Sequence, residues 1–162
     1  MNLQGTLEAL RDKGVDFVLI GGAAMSIQGS AQVTQDIDIC YSRSKPNVER
    51  LVETLSPFHV RLRGAPEGLP FRFDAETLVR GLNFTLTTDL GNIDLLGEVA
   101  GLGDFARVKA ESEVIHVYGA DCLVLTLAGL VKAKRAAGRP RDLAVLPELE
   151  ALKELREKLG EK

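Results

Sequence analysis

The sequence predicts an α/β (α+β) domain built on a mixed β-sheet flanked by helices, and three observations carry that expectation. Hydrophobic spacing alternates along the chain between a period of two and a helical period. A turn signal, Thr88-Asp89-Leu90-Gly91, separates two β-rich runs and so places an antiparallel hairpin in the sheet. Finally, 162 residues with 45% hydrophobic and 27% charged content suffice for one core and require no second one. The expected organisation is a single domain over 1–162, with an α/β core to about residue 120 and helices over about 121–160.

The elements follow in order. Leu3 to Lys13 carries Leu3, Leu7 and Leu10 on one stripe and closes at Gly14, as an amphipathic helix does. Asp16 to Ile20 is a short buried strand, and Ala23 to Gln28 a helix of small residues that starts after Gly21-Gly22 and ends at Gly29. Gln35 to Tyr41 reads as the second strand. Ser44-Lys45-Pro46 opens a helix reaching Leu55, with Ser44 as its cap and proline in its first turn. Phe58 to Arg63 alternates as a strand, and the two glycines and two prolines of 64–70 mark a loop. Asp74 to Arg80 is one or two helical turns. Leu82 to Thr87 and Asn92 to Leu96 form the hairpin, with Asp89 as a turn former. Val114 to Tyr118 is one more strand, and from Asp121 the spacing is helical to the end, interrupted near Gly138-Arg139-Pro140 and at Pro147.

Composition narrows the function. A net charge of −3 and a pI near 5.5 give no broad basic surface for duplex nucleic acid. Cys40 and Cys122 are too few for a disulfide framework or a zinc site, so reduced thiols are expected. No basic stretch leads into an apolar run at the N-terminus, and no eighteen-residue apolar run occurs; the expectation is a cytoplasmic protein without a membrane partner.

The chemistry-bearing residues cluster. In a strand, Asp36 and Asp38 point to one face while Ile37 and Ile39 point to the other, about 6–7 Å apart along the strand. Two carboxylates so placed repel each other, and a divalent cation with its preference for oxygen ligands relieves that. Asp94 lies in a third apolar run, where a carboxylate belongs only if it lines a pocket or meets a cation. Three such groups can hold two metals about 3.5–4 Å apart, the arrangement used for in-line phosphoryl chemistry. Backbone N–H groups after Gly21-Gly22 are candidates for holding phosphate. The glycines at 21, 22 and 29 do not make G-x-G-x-x-G, and no phosphate-loop motif occurs, so the usual dinucleotide and phosphate-loop readings lose their support. Leu123, Leu127, Leu130, Val131 and Lys134 share a helical stripe, with Lys132 on the opposite side; Lys134 either reaches into the site or snorkels from a helix end. Arg139 and Arg141 extend a positive rim or sit on a turn, and Asp142 is a helix cap or a site residue. His59 and His116 have no partner at a meaningful spacing, and the alternating charges from Glu148 onward read as a solvated face.

Gly21-Gly22, Gly29, Thr34, Asp36-Ile37-Asp38 and the later Asp94 resemble the nucleotidyltransferase (DNA polymerase β-like) superfamily, and among its groups the small bacterial members related to abortive-infection and toxin–antitoxin nucleotidyltransferases. The run from Lys134 to Leu143 resembles the K-x-x-A-G-R-P-[KR]-D-L stretch of that group. The resemblance implies a nucleotidyltransferase-like fold and transfer of a nucleoside monophosphate from a nucleoside triphosphate to an acceptor hydroxyl, with release of pyrophosphate and Mg²⁺ or Mn²⁺ as cofactor. It implies Asp36, Asp38 and Asp94 as metal ligands and, with Lys134, as catalytic residues. Gly21, Gly22, Ser26, Thr34, Lys134 and Arg139 would bind the nucleotide. The acceptor would be a tRNA or other RNA end, contacted by Lys134, Arg135, Arg139 and Arg141, or a protein hydroxyl. Two positions depart from the pattern: Ala23 stands where larger members place a serine, and Gln32 where small ones carry arginine. They motivate the alternative, a weak or inactive nucleotidyltransferase-like regulator acting with a cognate toxin or antitoxin protein.

Overall fold

Four consecutive apolar residues, Phe17–Ile20 (β1), are buried on both faces and form an inner strand of the sheet. The computed structural model describes residues 1–66 and 68–160. On one side of β1 runs Asp36–Tyr41 (β2), antiparallel to it; on the other, Ala120–Leu125 (β9), parallel. Gly91–Leu96 (β5) lies parallel to β2 and pairs with Asn83–Thr88 (β4) as the expected hairpin around Asp89 and Leu90. Arg61–Leu62 (β3) and Ser112–Val117 (β8) complete a seven-stranded mixed sheet in the order β3-β4-β5-β2-β1-β9-β8. Glu98–Val99 (β6) and Gly103–Asp104 (β7) form a separate small ribbon.

The helices are Leu3–Asp12 (α1), Gly21–Ile27 (α2), Lys45–Leu55 (α3), Ala75–Arg80 (α4), Phe105–Ala110 (α5), Leu127–Ala137 (α6) and Pro140–Lys158 (α7). Leu7 and Leu10 of α1, Leu51 and Leu55 of α3, and Ile37, Ile39 and Tyr41 of β2 are all fully buried in one core. The alternation of β2 thus spends one face on packing and leaves the other to Asp36 and Asp38. No helix among the described residues is long and apolar enough to cross a membrane.

Several expectations change. The chain from Asp121 to Leu125 is strand, not helix: its apolar run pairs with β8 and β1, and the helix begins only after Thr126, whose hydroxyl caps it by accepting from the Gly129 N–H at 3.0 Å. Phe58 to Arg63 holds only a two-residue strand, because Pro57 starts a 3₁₀ turn over Ser56–Phe58 and His59 takes a left-handed conformation at φ 51°. Ser44 occupies the cap position of α3 without making a capping hydrogen bond. Pro147 does not end a helix; α7 runs through it. Gly21 and Gly22 are the first residues of α2 rather than a turn before it. The small ribbon and α5 fill a stretch that the sequence left unassigned. Glu67, within the expected 64–70 loop, lies outside the described residues.

Candidate active site

The register of β2 against β5 builds the acidic face. Asp38 stands opposite Asp94 and Asp36 opposite Asn92, so in adjacent parallel strands all four side chains project to the same side. Ile93 and Leu95, on the other side of β5, are fully buried. Asn92 donates to Asp36 Oδ1 at 3.0 Å and fixes that carboxylate. Thr34, just ahead of β2, donates its hydroxyl proton to the Asp36 carbonyl at 2.9 Å and accepts from the Asp36 N–H at 3.3 Å, which sets the chain's path into the strand.

Gly21 and Gly22 are needed here for space. Gly21 adopts φ 62°, and a Cβ there would stand 2.1 Å from Asp38 Oδ2; one at Gly22 would stand 2.6 Å from the Thr34 side chain. The first residues of α2 therefore lie directly against the acidic face. Ala23 is buried in the core. Ser26 is exposed, donates to the Gln32 carbonyl at 3.4 Å and does not line the cleft.

Opposite the carboxylates stand the cations. Lys134, in the last turn of α6, and Arg139, just before α7, converge on Asp142, whose side chain is 1% exposed. Arg139 Nε donates to Asp142 Oδ2 at 2.6 Å, its Nη2 to Oδ1 at 3.2 Å and its backbone N–H to Oδ2 at 3.2 Å; Lys134 Nζ reaches Oδ1 at 3.4 Å. Asp142 is therefore both a cap of α7 and the anchor of two cleft cations. Gly138, at φ 66°, makes the connection possible by closing α6 in a left-handed conformation. Arg141 joins Lys134 and Arg139 along the cleft, whereas Arg135 pairs with Glu150 of α7 and is not among the lining residues. Lys132 faces away, paired with Glu111. The cleft measures about 490 Å³, and Asp36, Asp38, Asp94, Thr34, Gly22 and Gln32 contribute to its wall.

The two kinds of buried carboxylate behave oppositely. The hydrogen bonds from Arg139, aided by Lys134, hold Asp142 below the usual carboxylate range. Burial, then the charge and hydrogen bond of Asp94 and the charge of Asp36, push Asp38 up to about 7, against a smaller opposing pull from Lys134. Among the described residues, Asp38 Oδ1 is buried with no hydrogen-bond partner.

A residue that sequence reasoning left unused completes the face. Arg63, just past β3, donates from Nη2 to Asp94 Oδ1 at 2.6 Å and to the Leu86 carbonyl at 2.8 Å, and Nη1 lies 3.8 Å from Asp36 Oδ2. Among the described residues, no three His, Cys, Asp or Glu side chains stand arranged to hold a metal ion. The guanidinium serves two of the three carboxylates and leaves Asp38 Oδ1 orphaned, a donor set of hard oxygens with one acceptor still open, which fits a small divalent cation. Asn92 was legible in principle, since it precedes Asp94 by two residues and so shares its face. Arg63 carried no comparable signal.

Comparison with solved structures finds the same architecture elsewhere. TM1012 of Thermotoga maritima, a candidate nucleotidyltransferase, superposes with a TM-score of 0.53 at 16% identity, covering 99% of this chain and 91% of that one. The chain has a nucleotidyltransferase fold. ANT(2″)-Ia, solved in complex with adenylyl-2″-tobramycin, shares that fold with a TM-score of 0.56 at 12% identity, over 94% of this chain and 91% of its own. No family profile and no curated protein matches the sequence. Within a nucleotidyltransferase fold, the carboxylates of β2 and β5 and the cations of α6 and α7 are brought together from segments more than thirty residues apart.

Proposed function

We propose that this chain is a divalent-cation-dependent nucleotidyltransferase that moves a nucleoside monophosphate from a nucleoside triphosphate to an acceptor hydroxyl. The observation that carries the reading is the pairing of Asp38 with Asp94, beside Asp36, across one cleft from Lys134 and Arg139. In the reaction the acceptor oxygen bonds to the α-phosphorus, the bond from that phosphorus to the bridging oxygen breaks, and pyrophosphate leaves with the electron pair.

Asp36, Asp38 and Asp94 would hold Mg²⁺ or Mn²⁺, which when bound makes the acceptor hydroxyl more acidic and offsets charge on the leaving pyrophosphate. Asp94 would receive the acceptor's proton at a carboxylate oxygen. Lys134 and Arg139 would face the phosphates, pre-aimed by Asp142 so that little side-chain freedom is lost on binding. Gly21 and Gly22 would let the triphosphate approach the backbone of α2 closely. Thr34 would act through Asp36, to which it is bonded at both backbone groups. The acceptor would be an RNA end or a protein hydroxyl, and Lys134, Arg139 and Arg141 would contact an RNA backbone.

A second reading has its own observation. Arg63 already compensates two of the three carboxylates, and Ala23 brings no hydroxyl to α2, as befits a regulator that acts beside a toxin or antitoxin protein without turnover. Incubation with α-labelled triphosphates, Mg²⁺ or Mn²⁺ and candidate RNA or protein acceptors separates the two. Transfer by the wild type that falls about 100-fold or more in Asp36→Asn and Asp38→Asn supports the enzyme. Equal labelling by wild type and variants removes these aspartates from the chemistry, and calorimetric triphosphate binding without any transfer favours the regulator.

A further inference from the structure

We propose that Arg63 is a resident counter-ion of the acidic face, held across Asp94 and Asp36 until a divalent cation displaces it. The inference rests on the divalent-cation reading of the cleft. Its geometric basis is the 2.6 Å charge-assisted bond to Asp94 Oδ1 together with the 3.8 Å approach to Asp36 Oδ2. A guanidinium is planar and rigid, so it can span two carboxylates but leaves the third, Asp38, with an open buried oxygen. Arg63 Nε is itself buried and without a hydrogen-bond partner among the described residues. The arginine is therefore imperfectly satisfied where it lies, and the acidic face is imperfectly neutralised by it.

The surroundings permit exchange. The Arg63 side chain is 27% exposed, and its backbone N–H is bonded to the Thr85 carbonyl at 3.0 Å, so exchange would leave the main chain anchored to β4 and move the side chain alone, at the loss of its 2.8 Å bond to the Leu86 carbonyl. Gly64 follows at φ 75° and has open space where a Cβ would stand. A divalent cation carries twice the charge of a guanidinium on a smaller body, so it offsets the repulsion among the carboxylates more fully than one arginine does. While Arg63 is in place, it competes for Asp94 and Asp36 and repels an incoming positive charge, so it sets the cation concentration at which the site fills. A positioning residue of this kind would keep the metal-free face from standing uncompensated, and would be felt in cation affinity before it is felt in turnover.

The test is a Mn²⁺ titration of wild type, Arg63→Gln and Arg63→Lys, read calorimetrically and by the resonance signal of free Mn²⁺. Arg63→Gln is expected to bind Mn²⁺ about tenfold more tightly than wild type. Arg63→Lys, whose ammonium cannot span both carboxylates, should fall between them. If Arg63→Gln does not fold without metal, Arg63→Lys alone decides: tighter binding than wild type supports the proposal, and equal or weaker binding overturns it. Wild-type binding with no gain in either variant overturns the role of Arg63 and leaves the cation site standing. Absence of Mn²⁺ binding in every protein overturns both.

Discussion

Asp142 and Asp38 border the same cleft, and each is a carboxylate largely withdrawn from water, yet the molecule treats them in opposite ways. Asp142 receives bonds from Arg139 and a contact from Lys134, and its acidity is strengthened. Asp38 faces two further carboxylates across and along the sheet, and its acidity is weakened until it titrates at about 7. A buried charge with its partners in place is costly to break, whereas an uncompensated one costs stability, and such groups cluster at functional sites. The contrast separates a compensated carboxylate that anchors two cations beside the C-terminal helices from an uncompensated one on the β2–β5 face, where the proposed cation would bind.

Breaking the paired side should cost most. Asp142→Ala removes the partner of two cations and the cap of α7, and should lower unfolding free energy by about 2–3 kcal/mol, with Arg139's exposure to solvent limiting the loss. Urea denaturation at neutral pH measures it; a change below about 0.5 kcal/mol would remove the anchoring role.

The unpaired side should respond with the opposite sign. Because the folded-state pKa of Asp38 lies above its ordinary value of 3.8, the folded protein binds more protons than the unfolded chain between about pH 4 and 7. Metal-free stability contributed by that proton is complete below pH 4 and lost as pH rises through 7. Asp38→Asn should abolish this slope and leave the variant about 2 kcal/mol more stable than wild type at pH 8. Asp142 runs the other way: its contribution is present above its ordinary pKa and lost as pH falls below it. Parallel slopes for wild type and Asp38→Asn from pH 4 to 8 would refute the contrast.

Smaller effects sharpen it. Gly21→Ala puts a methyl group against the Asp38 carboxylate at a left-handed backbone position and should cost about 1–2 kcal/mol, reduced when Asp38 is also replaced by Gly. A double-mutant cycle by thermal melting shows whether the two positions are coupled. Ser26→Ala should change stability by less than about 0.5 kcal/mol and leave triphosphate affinity intact, since its hydroxyl lies outside the cleft. A clear loss of affinity would support the expected nucleotide-binding role of Ser26.

What could be read from the sequence divides along the same line. The acidic face was legible because strand alternation is a local rule: Asp36 and Asp38 are two residues apart, and Asp94 interrupts an apolar run. The hairpin and the mixed sheet followed from equally local turn and spacing signals. The strand β9 was misread because its apolar residues continue at helical spacing into α6, so periodicity alone could not place the boundary that Thr126 sets. The ribbon of β6 and β7 was invisible, since two-residue strands have no period. Arg63 meets Asp94 from 31 positions away, and no local pattern encodes such a meeting. Asp142 lay between: its capping position was legible, but its pairing with Lys134 and Arg139 depends on the αL turn at Gly138 that brings α6 and α7 together.

The most direct measurement is the melting temperature of wild type and Asp38→Asn across a Mn²⁺ series at pH 8. A cation that binds only the folded acidic face must raise the wild-type value progressively, by several degrees at saturating excess, and leave the variant nearly unchanged. No rise in the wild type, or an equal rise in both proteins, would contradict the assignment of Asp36, Asp38 and Asp94 as a cation-binding face.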